Sequence, residues 1–257
     1  MIDADDVTLD CASFTITGTG QQIGIAVQGH TGVTIQNCLV TESSWGIVIN
    51  GSTNTLLANT TYANALTGVA LSGDDNTVVA SRSDNNGDAG YRVDSSSATT
   101  LRDNRATGNA GTGFVCGSSQ DIRLVGNVAR SNGNGYWFKS CDGSLIRNEA
   151  RAHPDQGFVL EHLRGMQLIE NLSHGNENGF LVFKRSSHIA VRGNTATANE
   201  FSGFYLKRPD RNVLKRNTAR ANGAYGFGPL VPTRATSTGS SRPHLDPAVQ
   251  SLDCSLV

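Results

Sequence analysis

The chain has 257 residues, 29 of them glycine, with 17% charged residues and a net charge of -1. Good helix formers are scarce and asparagine is abundant, which excludes a helical bundle, while 37% hydrophobic residues suffice for a packed interior and exclude a disordered chain. No apolar run reaches the roughly 18 residues of a membrane-spanning helix, so we expect no membrane contact.

The N-terminus and the cysteines bear on compartment and metal content. Three of the first six residues are aspartate, and the basic start and apolar stretch of a secretory signal are missing. The sequence therefore predicts a cytoplasmic protein, unless the chain begins after a removed signal.

The cysteines are odd in number, widely spaced and without a Cys-x-x-Cys pair, so we expect small core residues, no metal and no cofactor. They are Cys11, Cys38, Cys116, Cys141 and Cys254.

Glycine recurs every 22 to 24 residues through most of the chain. An apolar or aromatic residue follows each of these glycines, and another commonly follows two places later, as in Ile47/Ile49 and Phe158/Leu160. Such alternation is typical of a strand with one buried face. The periodic glycines are Gly24, Gly46, Gly68, Gly90, Gly113, Gly135, Gly157, Gly179, Gly203 and Gly226.

Asparagine keeps the same period in two columns that mark bends. A short apolar stretch precedes the first column, and a third stretch with a small residue, such as Ala106 or Ala129, follows it. Each unit therefore has three short strands and three bends. The first column is Asn37, Asn59, Asn104, Asn127, Asn148, Asn171, Asn194 and Asn217, and the second is Asn64, Asn86, Asn109, Asn132, Asn176, Asn199 and Asn222.

Units this short leave no room for a helix, and hairpins would not keep every unit in the same register. Both constraints are met by a coil in which each strand pairs in parallel with its counterpart one turn away, about 4.8 Å along the axis. In such a parallel β-helix, like side chains stack inside and asparagines at equivalent bends hydrogen-bond between turns. A sandwich, the alternative all-β fold, would not hold the glycines in phase.

The pattern Gly-aromatic-x-apolar followed by Asn-x-Ala-x-x-Asn resembles the right-handed parallel β-helix superfamily over roughly residues 5 to 228. That superfamily includes pectate lyases, polygalacturonases, mannuronan epimerases and carbohydrate-binding or sugar-hydrolase repeat proteins. We therefore predict an all-β, right-handed, single-stranded parallel β-helix over residues 1–228, with about ten coils of 22–24 residues and three short strands in each. The repeat stops where prolines accumulate, so residues 229–257 are predicted to be a non-repeat tail or cap.

Charge is distributed unevenly along the chain. Residues 1–90 hold nine acids and one base, whereas residues 91–225 hold eleven acids and eighteen bases. The C-terminal half is therefore expected to attract an anionic ligand, although exposed charges on turns also serve solubility alone.

Outward positions two and four places after the periodic glycines place a candidate site on one face of the last four coils. Neighbours there should lie about 5 Å apart along the axis. An apolar stripe shares this face and is alternatively a partner surface, a homodimer contact or a seat for the tail. The stripe is Val115, Trp137, Val159, Leu181 and Tyr205.

The resemblance to lyases and epimerases implies a base that removes the proton beside a uronate carboxylate while cations hold that carboxylate. We predict such an enzyme acting on an acidic saccharide; the alternatives are an isomerase or cyclase of a small, partly hydrophobic acidic metabolite, and a non-catalytic binding scaffold. The predicted catalytic residues are Lys139, Glu161, His162, Tyr205 and Lys207. The predicted substrate-binding residues are Trp137, Phe183, Lys184, Arg185, Arg208 and Asp210.

Other chemistries have weaker support. A hydrolase needs paired carboxylates, for which Glu161 with Asp155 or Asp210 is the candidate set. The Gly73-Asp74-Asp75 triplet resembles a polygalacturonase motif but falls on a bend, and His153 and His174 are expected to be surface residues. Acids interrupt the basic residues, so no nucleic acid is expected as a partner.

Overall fold

The computed structural model describes residues 1–183, 185–207 and 211–228, together with the backbone of residues 235–237 and 250–256. Its described elements are short β-strands that wind into three faces. Sheet A, the first face, has ten strands in consecutive order. Its strands are β3 (Ile23–Gln28), β6 (Trp45–Asn50), β9 (Val69–Ser72), β12 (Tyr91–Asp94), β15 (Thr112–Gly117), β18 (Asn134–Lys139), β21 (Phe158–Glu161), β24 (Phe180–Phe183), β27 (Ser202–Leu206) and β29 (Tyr225–Gly228).

Sheet B contains the other two faces, because its strand β28 (Val213–Arg220) bends across both. The second face comprises β1 (Thr8–Asp10), β4 (Thr34–Gln36), β7 (Thr55–Leu57), β10 (Thr77–Val79), β13 (Thr100–Arg102), β16 (Ile122–Val125), β19 (Gly143–Ile146), β22 (Gln167–Ile169), β25 (Ala190–Arg192) and β28 (Val213–Arg220). The third comprises β2 (Thr15–Thr17), β5 (Leu39–Thr41), β8 (Thr60–Tyr62), β11 (Arg82–Asp84), β14 (Arg105–Thr107), β17 (Val128–Arg130), β20 (Glu149–Arg151), β23 (Leu172–His174) and β26 (Thr195–Thr197).

Strands of successive coils pair in parallel without a change of register along each face. Tyr136 lies opposite Phe158, for example, and Trp137 opposite Val159. The prediction of an all-β, right-handed parallel β-helix is confirmed. Near the C-terminus, β30 (Ala235–Ser237) and β31 (Gln250–Leu256) depart from this pattern, because β31 pairs antiparallel with both β28 and β30.

Aromatic rings form a continuous column inside the coil beneath sheet A. Seven rings from consecutive coils stack at centroid separations of 4.6 to 4.9 Å and interplanar angles of 4 to 7°. This spacing matches the distance between paired strands, so the strand ladder itself sets the stack. The rings belong to Tyr91, Phe114, Tyr136, Phe158, Phe180, Phe204 and Phe227.

Asparagine ladders satisfy the backbone at the bends, as the sequence predicts. Asn127 shows the pattern: its Oδ1 accepts the Asn104 N–H at 2.9 Å, its Nδ2 donates to Leu101 O at 2.9 Å, and its own N–H donates to Asn148 Oδ1 at 2.9 Å. The side chain thus replaces strand partners that the bend removes, which keeps buried polar groups paired.

His153 occupies a rung of the second ladder, so the prediction of a surface histidine is wrong. It is 2% exposed, and its ring Nδ1 accepts the backbone N–H of Asn132 at 3.0 Å. Its own backbone N–H donates to Asn176 Oδ1 at 2.9 Å. Its Nε2 lies 3.2 Å from Ala129 O, the contact an asparagine Nδ2 makes elsewhere in the ladder. Burial lowers the pKa of His153, which favours the neutral ring that these contacts require.

Four cysteines form disulfides, so the expectation that they are isolated core residues is also wrong. Cys11 bonds Cys38 and Cys116 bonds Cys141, each pair joining successive coils. All four are buried, which is the part of the expectation that holds. The partners of each pair come within bonding reach only after the coils stack, because they are 25 or 27 residues apart in sequence.

Candidate functional site

A groove of about 450 Å³ opens on the outer face of sheet A. Val115 and Gly117 on β15 form its floor, and Arg92 on β12 and Trp137 on β18 form its walls. Arg92, Val115 and Trp137 are consecutive in register, so the walls stand two strand spacings, about 10 Å, apart. A concavity of this size suits a small organic ligand or part of a chain.

Glycines open one end of the groove at the corner that precedes sheet A. Backbone hydrogen bonds there link Asp88, Gly111, Gly133 and Asp155 in consecutive coils. A Cβ on Gly111 would lie 2.7 Å from Asp88 Oδ1, so a side chain at this position would displace the carboxylate. Glycine at this corner in two consecutive coils therefore leaves a gap, and an aspartate lies on each side of the gap.

The groove carries mixed charge. Arg92 Nη2 lies 2.9 Å from Asp88 Oδ2 and Arg92 Nη1 lies 3.7 Å from Asp94 Oδ2, so this guanidinium is held between two carboxylates. Lys139 lines the groove at the far end of β18, where it is exposed and makes no ion pair among the described residues. The accessible cation of the groove is therefore Lys139.

Glu161 holds Trp137 in place. The Trp137 indole N–H donates to Glu161 Oε1 at 3.3 Å, and the carboxylate is only 1% exposed while the indole is 38% exposed. Trp137 lies opposite Val159 on the next strand, and Glu161 comes two residues after Val159 on the same side of that strand. The carboxylate is therefore a diagonal neighbour of the indole. Anchored at its nitrogen, the indole still presents apolar ring surface to the groove.

The other predicted site residues extend along the coil from this centre. His162 and Arg185 are exposed at bends with left-handed backbone, φ 54° and φ 62°. Phe183 lies opposite Glu161, and Tyr205 lies three strand spacings, about 14 Å, from Trp137 in the same outward column. Exposed Lys207 follows β27. Lys184, Arg208 and Asp210 lie outside the described residues.

Of the predicted site residues that the structure describes, Trp137 and Lys139 alone line the groove, and its other lining residues are not among the predicted ones. The charged ones are Asp88, Arg92, Asp94 and Asp155, and the sequence predicts a role for Asp155 alone, as a carboxylate partner for Glu161. The signal was present in part, because Arg92 and Asp94 occupy the same outward columns as Trp137 and Lys139.

The apolar stripe on this face is less exposed than its sequence position indicates. Val159 is only 5% exposed, although it points outward between Trp137 and Leu181. Val115, Leu181 and Tyr205 are half-buried. Neighbouring side chains thus cover much of the stripe without a partner.

Residues 9–149, more than half of the chain, match the sequence profile described as a right-handed β-helix region. The chain belongs to the right-handed β-helix family. Residues 115–236 of this β-helix also match the profile of the periplasmic copper-binding protein NosD. No curated protein sequence matches it significantly.

Two carbohydrate-active enzymes of known structure share the fold of this β-helix. The pectate lyase Pel9A superposes with a TM-score of 0.55 and 17% identity, covering 86% of this chain and 62% of the lyase. The periplasmic alginate epimerase AlgG superposes with a TM-score of 0.56 and 13% identity, covering 82% of this chain and 66% of the epimerase. The β-helix thus spans less than two thirds of either enzyme, and at these identities the likeness establishes the fold.

The described residues do not offer a metal site to accompany the NosD match. Within them, no group of three or more His, Cys, Asp and Glu side chains is placed to hold an ion. The copper in that family's description therefore has no counterpart in the described donor set. The same part of the chain has no helix of the length and apolarity needed to cross a membrane.

Proposed function

We propose that this β-helix binds a saccharide chain in the groove of sheet A and acts on it as a uronate lyase or epimerase. The observation that carries the proposal is the pairing of Trp137 and Lys139 on one strand, both facing the groove, with the indole anchored by buried Glu161. An aromatic platform beside an accessible cation suits a sugar ring that carries a carboxylate. The carbohydrate-active enzymes that share the fold support the same substrate class.

Each role follows from position. Trp137 stacks on the sugar ring, and Lys139 neutralises the uronate carboxylate and the negative charge that develops when the adjacent proton leaves. His162 is the proposed base, because it follows Glu161, which lies opposite Lys139. Tyr205 is less suited to that role, since its strand lies three spacings, about 14 Å, from that of Lys139.

The groove carboxylates then recognise neutral parts of the saccharide. Asp88 and Asp94 are fixed by Arg92, and carboxylate oxygens accept hydrogen bonds from sugar hydroxyls. Asp155 stands on the other side of the glycine gap and can do the same. A uronate would therefore bind with its carboxylate at Lys139, which lies two strand spacings, about 10 Å, from Asp94 and at the other end of the strands from Asp88 and Asp155.

The test incubates the protein with pectate and with alginate, the polymers after which the two enzymes of similar fold are named. Elimination would raise ultraviolet absorbance through an unsaturated uronate, and epimerisation would exchange a ring proton with solvent. Lys139→Ala and His162→Ala should each lower turnover by about 100-fold or more. Lys215→Ala, an exposed lysine on the second face, is the matched control. Wild-type protein without either signal, or full activity in Lys139→Ala, would refute the proposed chemistry.

A glycoside hydrolase is the second candidate, and one distance favours it. Asp88 and Asp94 contact opposite ends of the Arg92 guanidinium, whose terminal nitrogens are about 2.3 Å apart, so their nearest oxygens are separated by at most about 9 Å. The carboxylate pairs of hydrolases are about 5 to 9.5 Å apart, a separation that this upper limit permits. New reducing ends without unsaturation, lost in both Asp88→Asn and Asp94→Asn, would replace the first candidate with this one.

The disulfides bear on location. Stable disulfides form in oxidising compartments and are rare in the cytosol. We therefore propose an extracytoplasmic location in place of the cytoplasmic one expected from the sequence. Thiol labelling of protein extracted under alkylating conditions tests this, because a cytoplasmic protein would present Cys116 and Cys141 as free thiols.

A further inference from the structure

Both tryptophans of the chain lie on sheet A, and the proposed function uses only one. Trp45 begins β6 and lines a second cavity, of about 280 Å³. Ile23, Val48 and Ala70 line the same cavity. Ile23 is 39% exposed, and its strand position pairs with Trp45. The cavity is therefore an apolar surface that includes one large aromatic ring.

This second cavity continues the groove. Arg92 and Asp94 line both, with the Trp45 cavity on one side and the Trp137 groove on the other. The outward column runs in register through Val48, Ala70, Arg92, Val115 and Trp137. The two cavities thus follow each other along the helix axis on one face.

The distance between the two tryptophans determines what can occupy both cavities. The strands that carry them are separated by four strand spacings, about 19 Å. A single sugar ring or a small metabolite cannot span that length, whereas an extended chain can. Ala70 on β9 keeps the floor of the Trp45 cavity low, so the only side chain of the outward column that a chain must cross between the two cavities is Arg92.

We propose that the occupant is one extended saccharide chain lying along the helix axis, with Trp45 as a distal platform for a ring that is not chemically changed. This deepens the proposed function and rests on it. The apolar C–H face of a sugar ring packs on the indole, while ring hydroxyls at the junction donate to the Asp94 carboxylate. The enzyme is thereby selective for chain length.

Tryptophan fluorescence tests the proposal without turnover. Trp137→Phe leaves Trp45 as the only indole, and this variant is titrated with a hexasaccharide and a disaccharide of galacturonate and of mannuronate. We expect the Trp45 emission to change when the hexasaccharide of the preferred uronate is added, and to stay the same when the disaccharide of that uronate is added. Calorimetry on Trp45→Ala should show the hexasaccharide bound about tenfold more weakly, with disaccharide affinity unchanged. Tyr62→Ala, an exposed aromatic on the third face, should leave both affinities unchanged.

The outcomes separate this inference from the proposed chemistry. Equal affinities of wild type and Trp45→Ala for the hexasaccharide would overturn the distal platform and leave the enzyme proposal intact. Emission from Trp45 that changes with protein concentration in the absence of sugar would also overturn it, since a second copy of the chain would then be the occupant. Length-dependent binding without turnover would support the platform and refute the lyase or epimerase, and no binding of any oligomer would overturn both.

Discussion

Asn127 provides a direct test of whether the asparagine ladders stabilise the coil. Its side chain is fully buried, and Asn127→Ala would leave the Asn104 backbone N–H without its acceptor. The substitution also removes three side-chain hydrogen bonds: Asn127 Nδ2 donates to Leu101 O and to Asn148 Oδ1, and Asn104 Nδ2 donates to Asn127 Oδ1. Asn148 Oδ1 keeps its bond from the Asn127 backbone. One buried donor without a partner costs about 1–3 kcal/mol and each lost hydrogen bond about 1 kcal/mol, so we expect a loss of about 4–6 kcal/mol.

Equilibrium unfolding in urea, followed by far-ultraviolet circular dichroism, measures this loss from the shift in midpoint at constant slope. Asn50→Ala is the matched control, because Asn50 is exposed on sheet A, and it should change the free energy of unfolding by less than about 0.5 kcal/mol. A loss below about 1 kcal/mol in Asn127→Ala would show that water or a relaxed backbone replaces the ladder contact, and the reasoning would fail.

Two further predictions concern His153 and the second disulfide. Burial holds the His153 pKa below the value of about 6.5 in the unfolded chain, so the unfolded chain binds more protons and stability falls as pH drops below about 6.5. His153→Asn keeps the ladder contacts and should remove the part of the pH dependence that His153 causes. Urea midpoints that depend on pH identically in the wild type and in this variant would contradict the prediction. Replacing Cys116 and Cys141 by serine should cost about 3 kcal/mol, and a reductant should lower the thermal midpoint of the wild type by more than that of this variant, which keeps only the Cys11–Cys38 disulfide.

The backbone of this protein was predictable from sequence because the repeat is short and regular. A glycine every 22 to 24 residues, followed by an inward aliphatic or aromatic residue, already specifies short strands in one register. The Phe158 and Phe180 rings then stack because the paired strands hold them at the strand spacing. The asparagine columns similarly predicted Asn127 and its equivalents as ladder residues.

His153 and the disulfides were within reach of the same argument but needed the third dimension. His153 fills the gap in the second asparagine column between Asn132 and Asn176, yet its chemistry suggested a surface role until its burial and its contacts were known. Cys116 lies inside β15 and Cys141 follows β18, so the two become partners only because the coil stacks these adjacent turns.

The sequence by itself determined the coil, its three faces and the columns of residues on each face, because periodic hydrogen bonding and packing repeat locally from turn to turn. The tertiary structure alone decided where the groove opens. That depends on the relative volumes of side chains on neighbouring turns: Gly111 and Gly133 open one end of the groove whose walls are Arg92 and Trp137, while outward-pointing Val159 is covered. Glu161, outward by its column, is buried against Trp137 for the same reason. A column predicts which way a side chain points, and only the filled space around it determines whether a ligand can reach it.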